Sequence, residues 1–269
     1  MRFLVVSDIH ANLTALQAVL AAEEAARCDR MISLGDQVNF GPCPRQVLEL
    51  LGSKNCVMLL GNHEERLSRM DDPALRGYGW NMLRWTCGQI AGCRTDFPVD
   101  YRVGPVLCTH GVPGDPYRLV DAEGARALLP GLPEGVTLLL SGHNHISWRV
   151  EAAGRCAVNP GSLGMCEDGS GCTAPFLTLT QEGGRWRCER HTVRYSPDAL
   201  HRDFLRSGIL EAAPELAEVV EYTMRTGERH ATLRFTSLVR ETGLDPEDRP
   251  AWQEALRRFR REKRIGSGV

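Results

Sequence analysis

The sequence predicts an α/β fold: a layered sandwich of two mixed β-sheets flanked by helices, with a helical C-terminal extension. Three observations carry this expectation. Short apolar runs alternate with amphipathic helical segments over the first 145 residues, strands joined by Gly-rich turns follow, and from Ser196 onward the pattern is helical. The first stretch implies a largely parallel sheet. The second implies an antiparallel meander that forms a second sheet or continues the first.

Residues 3–6, 31–34, 57–60, 106–108 and 136–140 are apolar runs of strand length and read as buried strands. Asn12 can cap a helix to about Cys28, with Leu13, Leu16, Val19 and Leu20 on one face. Pro44 suits the first turn of a helix carrying Val47, Leu48 and Leu51. Helices are also predicted over 80–90 and 121–129, the latter stopped by Pro130-Gly131. Strands are predicted over 148–151, 156–158, 176–180 and 186–195, with turns at Ala153-Gly154 and Glu182-Gly183-Gly184. Beyond them, helices are expected over 197–205, 213–225, 237–241 and 250–263, with Asp248 capping the last. The expected division is a main domain over 1–195 and a helical extension over 196–269, packed on or beside it.

A chain of 269 residues with net charge −2 can bury a substantial core and has no bulk attraction to nucleic acid or membrane. No apolar run approaches the roughly 20 residues that span a bilayer. Residues 3–6 are too short for a secretory leader, and the ten cysteines are irregularly spaced, so a cytoplasmic location with reduced thiols is expected. Cys166 and Cys172 flank an acidic, Gly-rich loop, but without zinc-type spacing they read as free thiols. The basic stretch 257–264 reads as a solvated helix end whose charge complements the helix dipole.

Each of five apolar runs ends in polar ligands: Asp8-Ile9-His10, Gly35-Asp36, Gly61-Asn62-His63-Glu64, Thr109-His110-Gly111 and Gly142-His143-Asn144-His145. Five of the eight histidines lie in these pieces. Residues two apart on a strand share a side, so Asp8 and His10 can converge on one ion, as can His143 with His145. Strand ends of an open α/β sheet are where ligands bind. Asp36 can offer one oxygen to each of two ions, and Asn62 adds a neutral amide oxygen. Mixed oxygen and imidazole donors favour Mn first, with Fe, Zn, Ni or Co as alternatives, over a Mg or Ca cage. Asn12, at a helix start, suits either a phosphate or a plain helix cap.

The five motifs, in this order, resemble those of the calcineurin-like metallophosphoesterase superfamily over residues 1 to about 195. Gly41-Pro42, Trp85-Thr86, His110-Gly111-Val112-Pro113 and Asn159-Pro160-Gly161-Ser162 are similar, more narrowly, to its bacterial and archaeal phosphodiesterase branch. The resemblance implies two divalent metal ions: Asp8, His10 and His145 on the first, Asn62, His110 and His143 on the second, and Asp36 bridging. It makes His63 the proton donor to the leaving oxygen, or a clamp on the phosphoryl group. Asn12, Asn39 and Ser162 are the candidate substrate contacts, with Asn159 beside Ser162 at the pocket edge.

Two departures matter. The phosphoprotein phosphatases of the superfamily carry Asp-Arg where this chain has Asn39 and Phe40, so the arginine that grips a phosphoserine is absent. An asparagine can orient an imidazole but brings no charge, so His63 is expected to lose its proton more easily than with a carboxylate partner. Also, about 40 residues after Gly227 exceed the family core. They cover the pocket, build a homo-oligomer contact, or do neither.

The expected function is hydrolysis of phosphodiesters of small molecules or nucleotides by attack of a metal-bound hydroxide. The alternatives are a phosphomonoesterase or protein phosphatase, a dinucleoside polyphosphate (diadenosine tetraphosphate) hydrolase, a nuclease, and a non-catalytic scaffold. The near-neutral charge speaks against the nuclease. The intact ligand set speaks against the scaffold, because unpaired polar groups in one crevice are costly without an ion.

Overall fold

The computed structural model describes residues 1–265; the last four residues of the expected extension lie outside it. In chain order the elements are β1 (Arg2–Val6), α1 (Leu13–Leu20), α2 (Glu23–Ala26), β2 (Arg30–Ser33), α3 (Pro44–Ser53), β3 (Val57–Met58), α4 (Asn62–Leu67) and α5 (Asn81–Gln89). Next come β4 (Asp100–Val103), β5 (Val106–Thr109), α6 (Ala122–Leu128), β6 (Leu138–Ser141), β7 (Trp148–Ala152), β8 (Arg155–Asn159), β9 (Thr173–Glu182) and β10 (Arg185–Arg194). Helices α7 (Pro197–Ser207), α8 (Ile209–Ala212), α9 (Pro214–Thr226), α10 (Ala231–Glu241) and α11 (Arg249–Lys263) complete the chain.

Two five-stranded mixed sheets result, ordered β10-β9-β1-β2-β3 and β4-β5-β6-β8-β7. β1 runs parallel to β2, and β5 to β6, so their C-terminal ends can present loops to one crevice. The period-2 alternation of β1 explains the layering. Phe3 and Val5 join a cluster with Val106, Cys108, Leu138 and Leu140 between the sheets, while Leu4 and Val6 face Leu16, Val19 and Phe204 under the helices.

The structure corrects several expectations. The strands after residue 145 are not one meander: β7 and β8 extend the second sheet, whereas the β9–β10 hairpin pairs antiparallel with β1 in the first. The loop between β8 and β9 makes the crossing, and Leu163 N–H and Gly164 N–H donate to the Ser7 and Asp8 carbonyls on the way. The helix expected over 12–28 breaks at Ala22, which is extended. Alanine favours helix, so the break is a tertiary effect: the chain must turn back to set Arg30 beside Phe3 in the parallel ladder. β3 is only two residues long; Leu59 N–H still donates to the Ser33 carbonyl of β2, and Leu60 N–H, on the other edge, pairs with the Pro98 carbonyl. α10 starts six residues before the predicted 237, since Phe235, Leu238 and Val239 dock on α11 and override the β-branched Thr232 and Thr236.

The C-terminal helices divide their packing. Leu200, Phe204, Ile209, Ala217, Val220 and Met224 of α7–α9 lie in the same core as Leu4 and Val6. α10 and α11 close a second cluster, in which Phe235 meets Trp252 and Phe259 at centroid distances of 5.6 and 5.9 Å. Each such aromatic contributes about 1.5–3 kcal/mol on burial, enough to hold the pair as a packed wall. The basic stretch is paired: Arg258 with Glu254, Arg260 with Glu218 and Lys263 with Glu228. All ten cysteines are free thiols. No helix among the described residues is long and apolar enough to cross a membrane.

Candidate metal centre

The structure brings together Asp8, His10, Asp36, Asn62, His63, His110, His143 and His145 at the strand ends. Three groups have ligand atoms within 4.8 Å of one another: Asp8, His10 and His145; His10, Asp36 and His63; and Asp36, His110 and His143.

Strand alternation is not what makes the paired ligands converge. The residues after β1 and β6 have left the strand, and Asp8, His10, His143 and His145 all have positive φ, from 46° to 66°. Asp36 and Asn39 do too, at 53° and 67°. For residues with a Cβ this conformation carries strain, and its concentration here is typical of functional loops. Two tight approaches complete the crevice. Gly35 has φ +117°, and a Cβ there would come within 2.6 Å of His110 Nδ1; a Cβ on Gly61 would come within 2.0 Å of Asp36 Oδ1.

In the first half-site, Asp8 Oδ2 accepts from Ser7 Oγ at 2.5 Å and from the His143 N–H at 3.0 Å. Its Oδ1 is buried with no hydrogen-bond partner and lies 3.5 Å from His145 Nε2. His10 Nε2 is 3.0 Å from the same His145 nitrogen. His145 donates its Nδ1–H to Glu167 Oε1 at 3.0 Å, so its Nε2 is the nitrogen offered inward. A carboxylate behind a ligand histidine fixes the tautomer and raises its basicity.

In the second half-site, His110 donates Nδ1–H to the Leu34 carbonyl at 3.1 Å, which turns Nε2 into the site. That nitrogen lies 3.1 Å from Asn62 Oδ1 and 3.3 Å from Asp36 Oδ2. His143 gives its Nε2–H to the Tyr117 carbonyl at 3.1 Å, leaving Nδ1 for the site. Asp36 sits between the halves. Its Oδ1 is taken by the His63 N–H at 2.9 Å, while Oδ2 is also 4.0 Å from His10 Nε2. One oxygen, rather than one for each side, therefore faces both half-sites.

Carboxylate, amide and imidazole atoms this close need protons or cations between them, and the mix of oxygen and imidazole donors in both halves fits divalent ions. The charges around the histidines act in the same sense. Burial opposes charge on His110 and His145, but Asp36 outweighs it at His110, holding its pKa up to about 9, and Asp8 and Glu167 hold His145 up to about 10. Burial pulls His10 down to about 3, with His145 acting in the same direction. Each half-site thus carries negative charge that draws one positive charge to it.

Further residues serve as supports. Glu64 anchors the Asp36 loop: Oε2 accepts from the Asp36 and Gly61 N–H groups at 2.9 and 3.0 Å, and Oε1 from Val38 N–H at 3.1 Å. Burial and the Asp36 charge push its carboxyl up to about 8, against the pull of these N–H groups. A helix-start pattern, with Glu at the third helical position after Gly61, was the available signal for it. Glu167 had no such signal: it sits on an irregular loop, 22 residues from the histidine it holds.

The expected substrate contacts separate. Asn39 is at the crevice, 2.7 Å from His63 Nδ1. Asn12 and Ser162 are fully enclosed and engaged with backbone groups. Asn12 caps α1 through Ala15 N–H and donates to the Gly164 carbonyl; Ser162 donates to the Asp8 carbonyl and accepts from Met165 N–H. Asn159 likewise braces the loop, donating to the Gly142 carbonyl at 2.7 Å. These side chains hold the strained ligand loops from behind.

Comparison with known proteins places this geometry in context. A family model described as calcineurin-like phosphoesterase matches residues 1–149, a span that contains all the proposed ligands. An uncharacterized protein of Methanocaldococcus jannaschii is 28% identical over 177 residues, covering 61% of this chain and 70% of that protein. A metallophosphoesterase crystal structure from Sphaerobacter thermophilus aligns with TM-score 0.67 and 25% identity, covering 83% of this chain and 100% of that one. A hypothetical protein from Pyrococcus horikoshii shares the fold, with TM-score 0.66 and 18% identity over 85% of this chain and 99% of its own.

Proposed function

The chain belongs to the calcineurin-like phosphoesterase family, a family of metal-dependent phosphoester hydrolases, and from that premise we propose that it cleaves phosphodiesters at a two-ion centre. Asp8, His10 and His145 would hold one ion and Asn62, His110 and His143 the other, with Asp36 Oδ2 shared. The observation that carries the two-ion reading is the position of that oxygen, 3.3 Å from His110 Nε2 on one side and 4.0 Å from His10 Nε2 on the other. Divalent ions there, Mn foremost, would neutralise phosphoryl oxygens and make a water nucleophilic at neutral pH.

The chain's own residues supply the rest. His63 is buried, and burial pulls its pKa down to about 4, with Arg66 and His110 acting alongside and Asp36 against. Near neutrality it is a neutral imidazole. Asn39 donates to its Nδ1, so its proton sits on Nε2, the nitrogen 3.7 Å from Asp36 Oδ2. His63 therefore donates a hydrogen bond from Nε2 to the leaving or phosphoryl oxygen, of the kind worth most where charge develops. Phe40 packs on both His10 and His63, at ring-centroid distances of 5.1 and 4.8 Å.

The test uses metal-stripped protein reconstituted with Mn and assayed on an aryl phosphodiester, an aryl phosphomonoester and a dinucleoside polyphosphate. Diester turnover should lead, vanish on chelation and return with metal. Full activity in protein shown by elemental analysis to be metal-free would overturn the reading. Faster turnover of either other substrate would replace the diester assignment.

A further inference from the structure

A cavity of about 580 Å³ opens beside the metal centre. Asn39, Phe40 and His63 form its near wall, whereas Leu216 of α9, Val239 of α10 and Trp252 of α11 form its far wall. Trp80 and Arg66 also line it. The volume falls in the roughly 300–1,000 Å³ range of small-molecule sites, and its mostly apolar lining with a few polar groups is what such sites use. The residues beyond Gly227 supply most of the far side, and their packing through Phe235 and Phe259 makes that side a fixed wall.

Arg66 lies one turn after His63 on α4, so the two share a helix face. Its guanidinium rests on the faces of Trp80 and Tyr117, at 5.7 and 5.4 Å from the ring centroids, rather than on a carboxylate. A cation held on aromatic faces in the lining of a mostly apolar cavity suits a group that is anionic at one end and ring-like at the other.

We propose that this cavity binds the leaving alcohol of the phosphodiester and selects a ring-bearing alcohol of nucleoside size, with Arg66 beside the phosphate. The inference rests on the phosphoesterase reading above, since His63 both lines the cavity and faces the leaving oxygen. In the reaction, a water oxygen bonds to phosphorus and the bond from phosphorus to the ring-bearing alcohol's oxygen breaks. The proton that water gives up balances the one the departing oxygen takes. The extension is then a specificity wall, which a substrate with a small alcohol would leave unused.

The experiment compares methyl phosphodiesters of phenol and of 4-phenylphenol, leaving alcohols of similar acidity but different size, using the full-length Mn-loaded protein. The larger ester should have a kcat/KM at least ~10-fold higher, as added apolar contact in a fitted pocket gives. In Thr236→Trp, which fills the cavity from α10, that ratio should fall towards one. Calorimetric binding of adenosine 5′-monophosphate to the Mn-loaded protein forms the second arm, and should weaken by at least ~10-fold in the same variant. If the phenyl ester is cleaved but the larger one has no advantage in the wild-type protein, the pocket assignment is overturned and the phosphoesterase reading stands. If neither ester is cleaved, the phosphoesterase reading fails. The binding arm then decides the pocket: loss of binding in Thr236→Trp supports it, and absent or unchanged binding overturns it.

Discussion

Asn39 Nδ2 lies 2.7 Å from His63 Nδ1, while Thr86 Oγ1 donates to Asn39 Oδ1 at 3.4 Å. With its oxygen satisfied by Thr86, the amide offers the imidazole a donor. His63 must then carry its proton on Nε2, facing the metal centre. An aspartate at position 39 would do the reverse, accepting from Nδ1–H and favouring the imidazolium. The Asn39–Phe40 pair thus removes an arginine and also changes which hydrogen the histidine presents.

The variant Asn39→Asp tests this directly. The carboxylate should raise the His63 pKa from about 4 by on the order of one unit. Above that value the remaining proton is kept on Nδ1, away from substrate. Wild-type kcat should therefore be flat through neutral pH as far as His63 is concerned, whereas the variant loses activity as pH rises through the new pKa. The loss at pH 7 should be about 10²-fold or more, since a misplaced histidine tautomer disables hydrogen donation. Profiles that run parallel at saturating Mn and equal metal content would refute the tautomer assignment.

Metal content should separate the ligands by half-site. Asp36→Ala removes the one oxygen facing both sides, so it should lose both ions. Asn62→Ala should lose one while Asp8, His10 and His145 keep theirs, and His145→Ala the converse. Elemental analysis after gel filtration gives the ratio per chain. Two ions retained by Asp36→Ala would show that the halves do not share it.

Much of this was legible in the sequence for a specific reason. Carboxylate, amide and imidazole groups rarely gather at the ends of five apolar runs unless an ion holds them there. Those runs, together with the family resemblance, put forward Asp8, His10, Asp36, Asn62, His110, His143 and His145 as ligands, and the folded chain gathers these side chains in one crevice. What could not be read was how they converge. Two-residue spacing suggested strand alternation, yet left-handed turns at Asp8, His10, His143 and His145 bring the ligands together. Such turns are imposed by loops packed behind them, through Ser162 and Asn159 among others, and not by local propensity. The split of β7–β8 from β9–β10 between the sheets was hidden for a related reason: strand composition is the same whichever partner the strand finds. Glu167 was hidden too, because only tertiary folding brings it under His145.

Glu167→Gln should weaken the first half-site selectively. The wild-type carboxylate accepts His145 Nδ1–H through Oε1 and the His230 N–H through Oε2, at 3.0 and 2.7 Å. Glutamine keeps the size but loses the charge that raises His145 basicity. Affinity for one ion should fall about 10–100-fold, as is usual when a carboxylate behind a ligand histidine is lost. Competition with a chelator of known affinity would measure it. Two equally tight ions in the variant would reduce Glu167 to a loop tether for α10.

Metal uptake should release protons. At pH 7.5 His110 and His145, with values near 9 and 10, are protonated through Asp36 on one side and Asp8 with Glu167 on the other. Each must give up that proton before its Nε2 can bind an ion. Below about pH 9, every unit of acidification should therefore weaken each ion about tenfold, and the dependence should level off above the two values. Glu64 adds a fraction of a proton, because dications beside Asp36 offset the charge that helps push its carboxyl up to about 8. Calorimetric titration of Mn in buffers of different ionisation enthalpy should give two to three protons per chain at pH 7.5. His10, pulled down to about 3 by burial, contributes none. Glu167→Gln should lower the count towards one by letting His145 lose its proton beforehand. A release near zero in the wild-type protein would mean that His110 and His145 are already neutral, and that the half-site charges do not draw cations in the way the geometry implies.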